Sequence, residues 1–297
     1  MSSLTNLFRE KIAQHLFPGN NFPEIQYWCW QYRFSPSNYH LKHKDIANKI
    51  TDKVGYFNEE GINSTIKEVI KKIYSAFQKE LEQDGVTKEQ IGLSKKDQQN
   101  SSKREGISHH HPWKVVYYWL WERKYDRWLQ KYIWDSWKQK AVFNKEWISF
   151  SNQEKGMVIA KPQQTPSLPI NQALQMEISI DFPEKYLLLL NRGRDNQNQE
   201  TRYLVCPSQA FAPNWQLLEP ITLMPQPGAM CQDIQFDAPA QEEYIGILLD
   251  EKFDLPWLNP DPANPAWKWE GKDLGKVWEK LQENNGWQVF YQCFEVS

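Results

Sequence analysis

Tyr186-Leu187-Leu188-Leu189-Leu190-Asn191-Arg192-Gly193-Arg194-Asp195-Asn196-Gln197-Asn198, followed by Tyr203-Leu204-Val205-Cys206-Pro207, is the stretch on which the reading of this chain turns. An apolar run from Tyr186 to Asn191, a polar tip at Arg192–Asn198 and a second apolar run form the pattern of a β-hairpin with a buried first strand. Working outward, Met176-Glu177-Ile178-Ser179-Ile180 alternates apolar and polar residues. Ile221-Thr222-Leu223-Met224-Pro225, Ile234-Gln235-Phe236 and Glu243-Tyr244-Ile245-Gly246-Ile247-Leu248-Leu249 are further strand candidates. Leu274, Val277, Trp278 and Leu281 mark one short helix ending at Asn284-Asn285-Gly286, and Trp287–Val296 alternates as a closing strand. Short strands separated by prolines predict an antiparallel β-sandwich-like module over residues 176–297.

Upstream the period changes. Residues 151–175 form a Pro/Gln-rich linker, with Lys161-Pro162-Gln163-Gln164-Thr165-Pro166 at its centre. Leu7, Phe8, Ile12 and Leu16 share one side of a helix over Thr5–Leu16. The aromatic knot Tyr27-Trp28-Cys29-Trp30-Gln31-Tyr32-Arg33-Phe34 has the density of a buried element, and its type stays open. Lys44–Ile50 forms a shorter helix. Ile62, Ile66, Val69, Ile70, Ile73, Tyr74, Phe77 and Leu81 define a long one, with Thr65-Ile66-Lys67-Glu68 as a capping-box motif and Asp84-Gly85 as its stop. The chain thus divides into a basic helical domain at 1–84, a flexible polar linker at 85–111, a Trp-rich helical segment at 112–150, the linker at 151–175 and the β-module. The predicted class is α+β, with a mostly helical N-terminal half.

Composition agrees with two dissimilar halves. The 297 residues include 15 Trp, 13 Tyr and 14 Phe, against 13 Gly and 5 Met. Mean hydropathy is −0.74, so the core must lean on large rings. The net charge of −2 conceals a front of +7 over residues 1–150 and a back of −9 over 151–297. No apolar run approaches the ~20 residues of a membrane span, and Met1–Asn6 lacks the pattern of a secretory signal, which predicts a cytoplasmic protein with no membrane partner. The scattered Cys29, Cys206, Cys231 and Cys293 match neither a zinc site nor a disulfide framework and are expected to be small core residues.

The order of motifs in the back half resembles a bacterial domain family of unknown function, found mainly after caspase-like peptidases or protein kinases and common in cyanobacteria. The resemblance covers roughly 176–297. It rests on Tyr186–Asn191 with its polar hairpin, Tyr203-Leu204-Val205-Cys206-Pro207-Ser208, the Pro213-Asn214 turn, Leu223-Met224-Pro225, Glu242–Leu249 and the terminal Phe294-Glu295-Val296. The family has no assigned catalytic residues, so the resemblance transfers no site residue. It implies a module that accompanies an effector, while residues 1–150 carry no peptidase or kinase signature. The effector is therefore either absent or separately encoded.

All six histidines lie in the front half and three of four cysteines in the back, leaving only Cys29 with His40 or His43 as a peptidase pairing. No Gly-rich phosphate loop is present. His109-His110-His111 sits in a polar tract that imposes no ligand geometry, so neither a metal nor a cofactor is expected. Lys67, Lys71, Lys72 and Lys79 lie off the apolar stripe of the long helix and could meet phosphates, which supports a nucleic-acid-binding regulator as the alternative. Seven tryptophans fall between Trp113 and Trp147, interleaved with basic residues. Trp and Arg dominate binding hot spots, which singles out Trp121, Arg123, Arg127, Trp128 and Trp134 as partner contacts. The function expected is a non-catalytic adaptor or regulatory subunit docking on a separately encoded effector in bacterial signalling or defence. A nucleic-acid regulator is the first alternative and a hydrolase with an unrecognised site the second. The oligomeric state is not encoded in these patterns.

Overall fold

The computed structural model describes residues 3–19, 23–94, 111–142, 146–152, 167–180, 182 and 184–297. The chain has the α+β class, with most helix in the front half, and forms two compact units, 1–128 and 129–297.

The front unit is a helical bundle of α1 (Leu4–Leu16), α2 (Glu24–Arg33), α3 (His43–Val54), α4 (Ile62–Gln83) and α5 (Pro112–Tyr118). Its core joins Phe8, Trp30, Phe34, Ile46, Ile50, Ile70, Ile73 and Trp121. The aromatic knot is helix α2. It ends where the Arg33 guanidinium, itself buried, donates to the carbonyl oxygens of Leu41, Asn38 and Tyr39 and lies 3.9 Å from the centre of the Trp113 ring. Those bonds satisfy carbonyls that would otherwise be stranded in the core. The capping box expected at Thr65 does not form: α4 begins one turn earlier, and Thr65 Oγ1 donates to Gly61 O from inside the helix. The stop is as expected, since Gly85 holds a φ of +77° that an L side chain resists. Residues 85–94 are not a linker, because Ile91 is buried in the helical core, while 95–110 lie outside the described residues.

A π-helical stretch, Trp119–Lys124, joins α5 to α6 (Tyr125–Lys140). At its start Trp119, Leu120 and Trp121 are consecutive and all buried. Trp119 Nε1 donates to Asp84 Oδ2 at 2.6 Å, and Trp121 Nε1 donates to Phe34 O at 2.9 Å. The division between the units falls within α6, so the segment read as one Trp-rich element serves two cores.

The back unit holds two sheets. β1 (Ile148–Asn152), β3 (Leu174–Ser179) and β6 (Ile221–Met224) form one, in the order β1-β3-β6. β2 (Ser167–Leu168), β8 (Gln288–Val296), β7 (Ala240–Leu249), β4 (Tyr186–Asp195) and β5 (Glu200–Cys206) form the other, in the order β2-β8-β7-β4-β5. Pairing is antiparallel except for β2 on β8. Phe150, Met176, Ile178 and Met224 from the first sheet pack with Leu187, Leu189, Tyr244 and Phe294 from the second, the layered core of a sandwich. Two boundaries change. The expected 151–175 linker is partly sheet: β1 runs into its start, β2 lies inside it and β3 begins before its end, with 153–166 outside the described residues, and Ile234 contributes a single bridge to Leu174 rather than a strand. α7 (Gly271–Glu283) is the short helix expected near the end.

Candidate functional site

The β4–β5 hairpin also helps to line a cavity. Because β-strand side chains alternate, β4, β5 and β7 present one row to the sandwich interior and the next to the opposite face. On the interior face, Gly193 pairs with Thr201 on β5 and with Glu242 on β7. The adjacent row sets Asn191 between Tyr203 and Tyr244. A cavity of about 580 Å³ opens over these two rows, walled by Tyr203, Tyr244, Phe211 and Phe236.

Gly193 is what makes room. A Cβ built there would lie 2.5 Å from Glu242 Oε1 and 2.5 Å from Thr201 Oγ1, inside any tolerable contact. The missing side chain therefore lets the Glu242 carboxylate lie along the sheet beside Thr201. Glu242 is 7% exposed. Its Oε2 accepts a 2.7 Å hydrogen bond from Asn191 Nδ2, and its Oε1 has no donor among the described residues. Burial raises its pKa above the ordinary glutamate value, with the Asn191 bond only partly opposing. Tyr244, fully enclosed beside it, is pushed up by burial and by that carboxylate. At the mouth, Arg194 is spent on Glu200 at 2.6 Å, and Asp195 accepts the backbone N–H groups of Gln197 and Gln199 in the hairpin tip.

The other face of the same strands carries a closed network. Arg192 pairs with Glu243 across β4 and β7. Glu243 also accepts from Lys138 Nζ (3.0 Å) and Tyr291 Oη (2.6 Å). Burial alone would raise the Glu243 pKa, but the Tyr291 hydrogen bond, the charge and hydrogen bond of Arg192 and the Lys138 hydrogen bond bring it below the ordinary value. Trp134 lies 4.6 Å above Arg192 and Trp269 lies 5.6 Å above Arg202, with the two indoles stacked at 5.4 Å and 14°.

The expected partner contacts are dispersed by this arrangement. Trp121 and Trp134 are buried in the cores of their own units, so neither presents a ring to a partner. Burial of a large ring fills a space that a smaller side chain would leave empty. Trp128 is half-buried against Phe8 at 5.5 Å, and Arg127 is engaged by Asp84 at 2.6 Å. Arg123 is exposed. Among the lysines on α4, Lys71 pairs with Glu68 at 2.6 Å and Lys72 lies 5.4 Å from the Phe17 ring, while Lys67 and Lys79 stand beside Glu68 and Glu80 in sequence. The face they share is mixed in sign.

Cys29 is buried, and burial pushes its thiol up to about 12 with Arg33 opposing, a poor state for a nucleophile. Burial, together with the Arg33 charge, lowers the His43 pKa. His109 and His110 lie outside the described residues, and His111 sits 6.3 Å from His43. Among the described residues no group of three or more His, Cys, Asp or Glu is placed to hold a metal, and no helix is long and apolar enough to cross a membrane. Sequence reading named the Arg192–Asn198 tip but missed Glu242 and Gly193. In the sequence Gly193 falls in the polar hairpin tip, where glycine is an ordinary turn residue; only the extension of β4 to Asp195 puts it inside a strand, where a glycine marks a close approach. Comparison with known proteins returns no matching family model, no curated relative and no similar solved structure.

Proposed function

We propose that the protein is a non-catalytic adaptor or regulatory subunit of a bacterial signalling or defence system, and that its β-sandwich unit is the recognition module. One observation carries this reading: the 580 Å³ cavity is lined by aromatic walls and floored by a nearly enclosed carboxylate, and a glycine in mid-strand keeps it open. Concave, mostly apolar sites with a few fixed polar groups are how proteins hold a ligand group in one orientation. The motif order that suggests the resemblance over residues 176–297 points to a separately encoded effector as the partner. The four cysteines are unpaired thiols, which fits a cytoplasmic setting.

A photo-crosslinking amino acid at Tyr203, on the exposed mouth of the cavity, tests the reading in the native host. The expected result is one crosslinked protein whose yield falls at least tenfold when Thr201→Trp plugs the mouth. The purified partner should then bind the full chain and lose that binding with the same plug. Crosslinks indifferent to Thr201→Trp, or none above background, would overturn it.

A further inference from the structure

We propose that the cavity takes a cationic side chain: the ammonium or guanidinium of a partner's lysine or arginine, its alkyl stem lying between the aromatic walls. This rests on the recognition reading above and names its chemistry.

Charge balance is the first argument. Among the described residues, Asp195, Glu200, Asp237 and Glu242 line the cavity against Arg194 and Lys268, and Arg194 is already paired with Glu200. The second argument is the Glu242 carboxylate. It is 7% exposed and, among the described residues, receives a single neutral hydrogen bond and has no cation paired with it, whereas the adjacent Glu243 is served by Arg192, Lys138 and Tyr291. Glu242 lines the cavity with Oε1 unengaged by any donor of the described residues, so an entering N–H donor of positive charge can add a charge-assisted hydrogen bond there. The third is shape and surface. Tyr203 (38% exposed), Phe211 and Phe236 line the cavity, and aromatic rings suit both an alkyl stem and its charged head. Thr201 Oγ1, held against the same glycine, is a second acceptor next to Glu242.

The test titrates the full chain with capped Ala-Ala-Xaa-Ala-Ala peptides, Xaa being Lys, Arg, norleucine or Glu, and with n-butylammonium chloride. Amide shifts of Gly193 and Thr201 report binding. The Lys or Arg peptide should saturate, with norleucine and Glu at least tenfold weaker. Glu242→Gln should weaken the cationic peptides at least tenfold while melting at or above the wild-type temperature. Glu251→Gln, exposed and outside the cavity, should leave binding unchanged. Equal or tighter binding of the norleucine or Glu peptide, or butylammonium binding without either basic peptide, would overturn the assignment. If every probe fails while crosslinking at Tyr203 still depends on Thr201, the cationic assignment alone falls. If crosslinking is also indifferent to the plug, the recognition reading falls with it.

Discussion

Glu242 and Glu243 are neighbours on β7, point to opposite faces of one sheet and are driven to opposite protonation preferences. Glu242 faces the cavity with one amide donor, and burial raises its pKa. Glu243 faces α6, where burial is outweighed by Tyr291, Arg192 and Lys138. A single step along a strand separates a carboxylate left open to a ligand from one committed to the fold.

The pH dependence of stability should separate the two. A carboxyl whose native pKa is raised stabilises the fold at low pH, and that contribution is lost as pH climbs from the ordinary value of 4.5 through the native one. Glu242→Gln mimics the neutral form, so its urea midpoint should exceed wild type at pH 7 and match it near pH 4. Glu243, with its native pKa depressed, contributes stability above the ordinary value that disappears as pH falls through the native one. Glu243→Gln should therefore be less stable than wild type at pH 7, with the gap closing in acid.

Arg192→Met should lower the unfolding free energy by roughly 3–5 kcal/mol, the usual cost of stripping one partner from a buried pair. The same variant removes the cation beneath Trp134. Near-ultraviolet circular dichroism, sensitive to the stacked Trp134–Trp269 pair, should weaken along with the denaturation midpoint.

Gly246 supports the sandwich as Gly193 supports the cavity. A Cβ there would lie 2.6 Å from Trp147 Cη2, so Gly246→Ala should cost about 1–3 kcal/mol by overpacking. Adding Trp147→Phe should recover part of that loss, and a double-mutant cycle by urea titration measures the coupling.

Trp121→Ala should destabilise the front unit by roughly 3–5 kcal/mol, since the ring packs on Phe8 at 5.3 Å and bonds Phe34 O. Arg123→Ala, on the exposed side of the same turn, should change stability by no more than about 0.5 kcal/mol. Equal, small effects at both positions would show that Trp121 is not a core residue.

Legibility followed the range of the interaction. The stripe from Ile62 to Leu81 is a local period and became α4, and Tyr186–Asn191 with Tyr203–Pro207 became β4 and β5. The aromatic knot was ambiguous because rings suit helix and strand alike, and only packing around Phe8 and Trp30 made it α2. The Trp-rich segment misled for the same reason. Trp and Arg are interface residues, yet here they meet partners distant in their own chain, Arg127 at Asp84 and Trp134 at Arg192 and Trp269. The cavity could not be read because it depends on register, which sets Thr201, Gly193 and Glu242 side by side from three strands.

By itself, then, the sequence determined the class of each half, the hairpin and most helices, because hydrophobic periodicity and turn chemistry act within a dozen residues. Tertiary structure alone decided that Trp121 and Trp134 are core, that α6 serves two units, and that Glu242 rather than Glu243 faces a cavity. Those outcomes depend on which strand lies beside which and in what register, and a one-residue slip would exchange the two faces of the sheet.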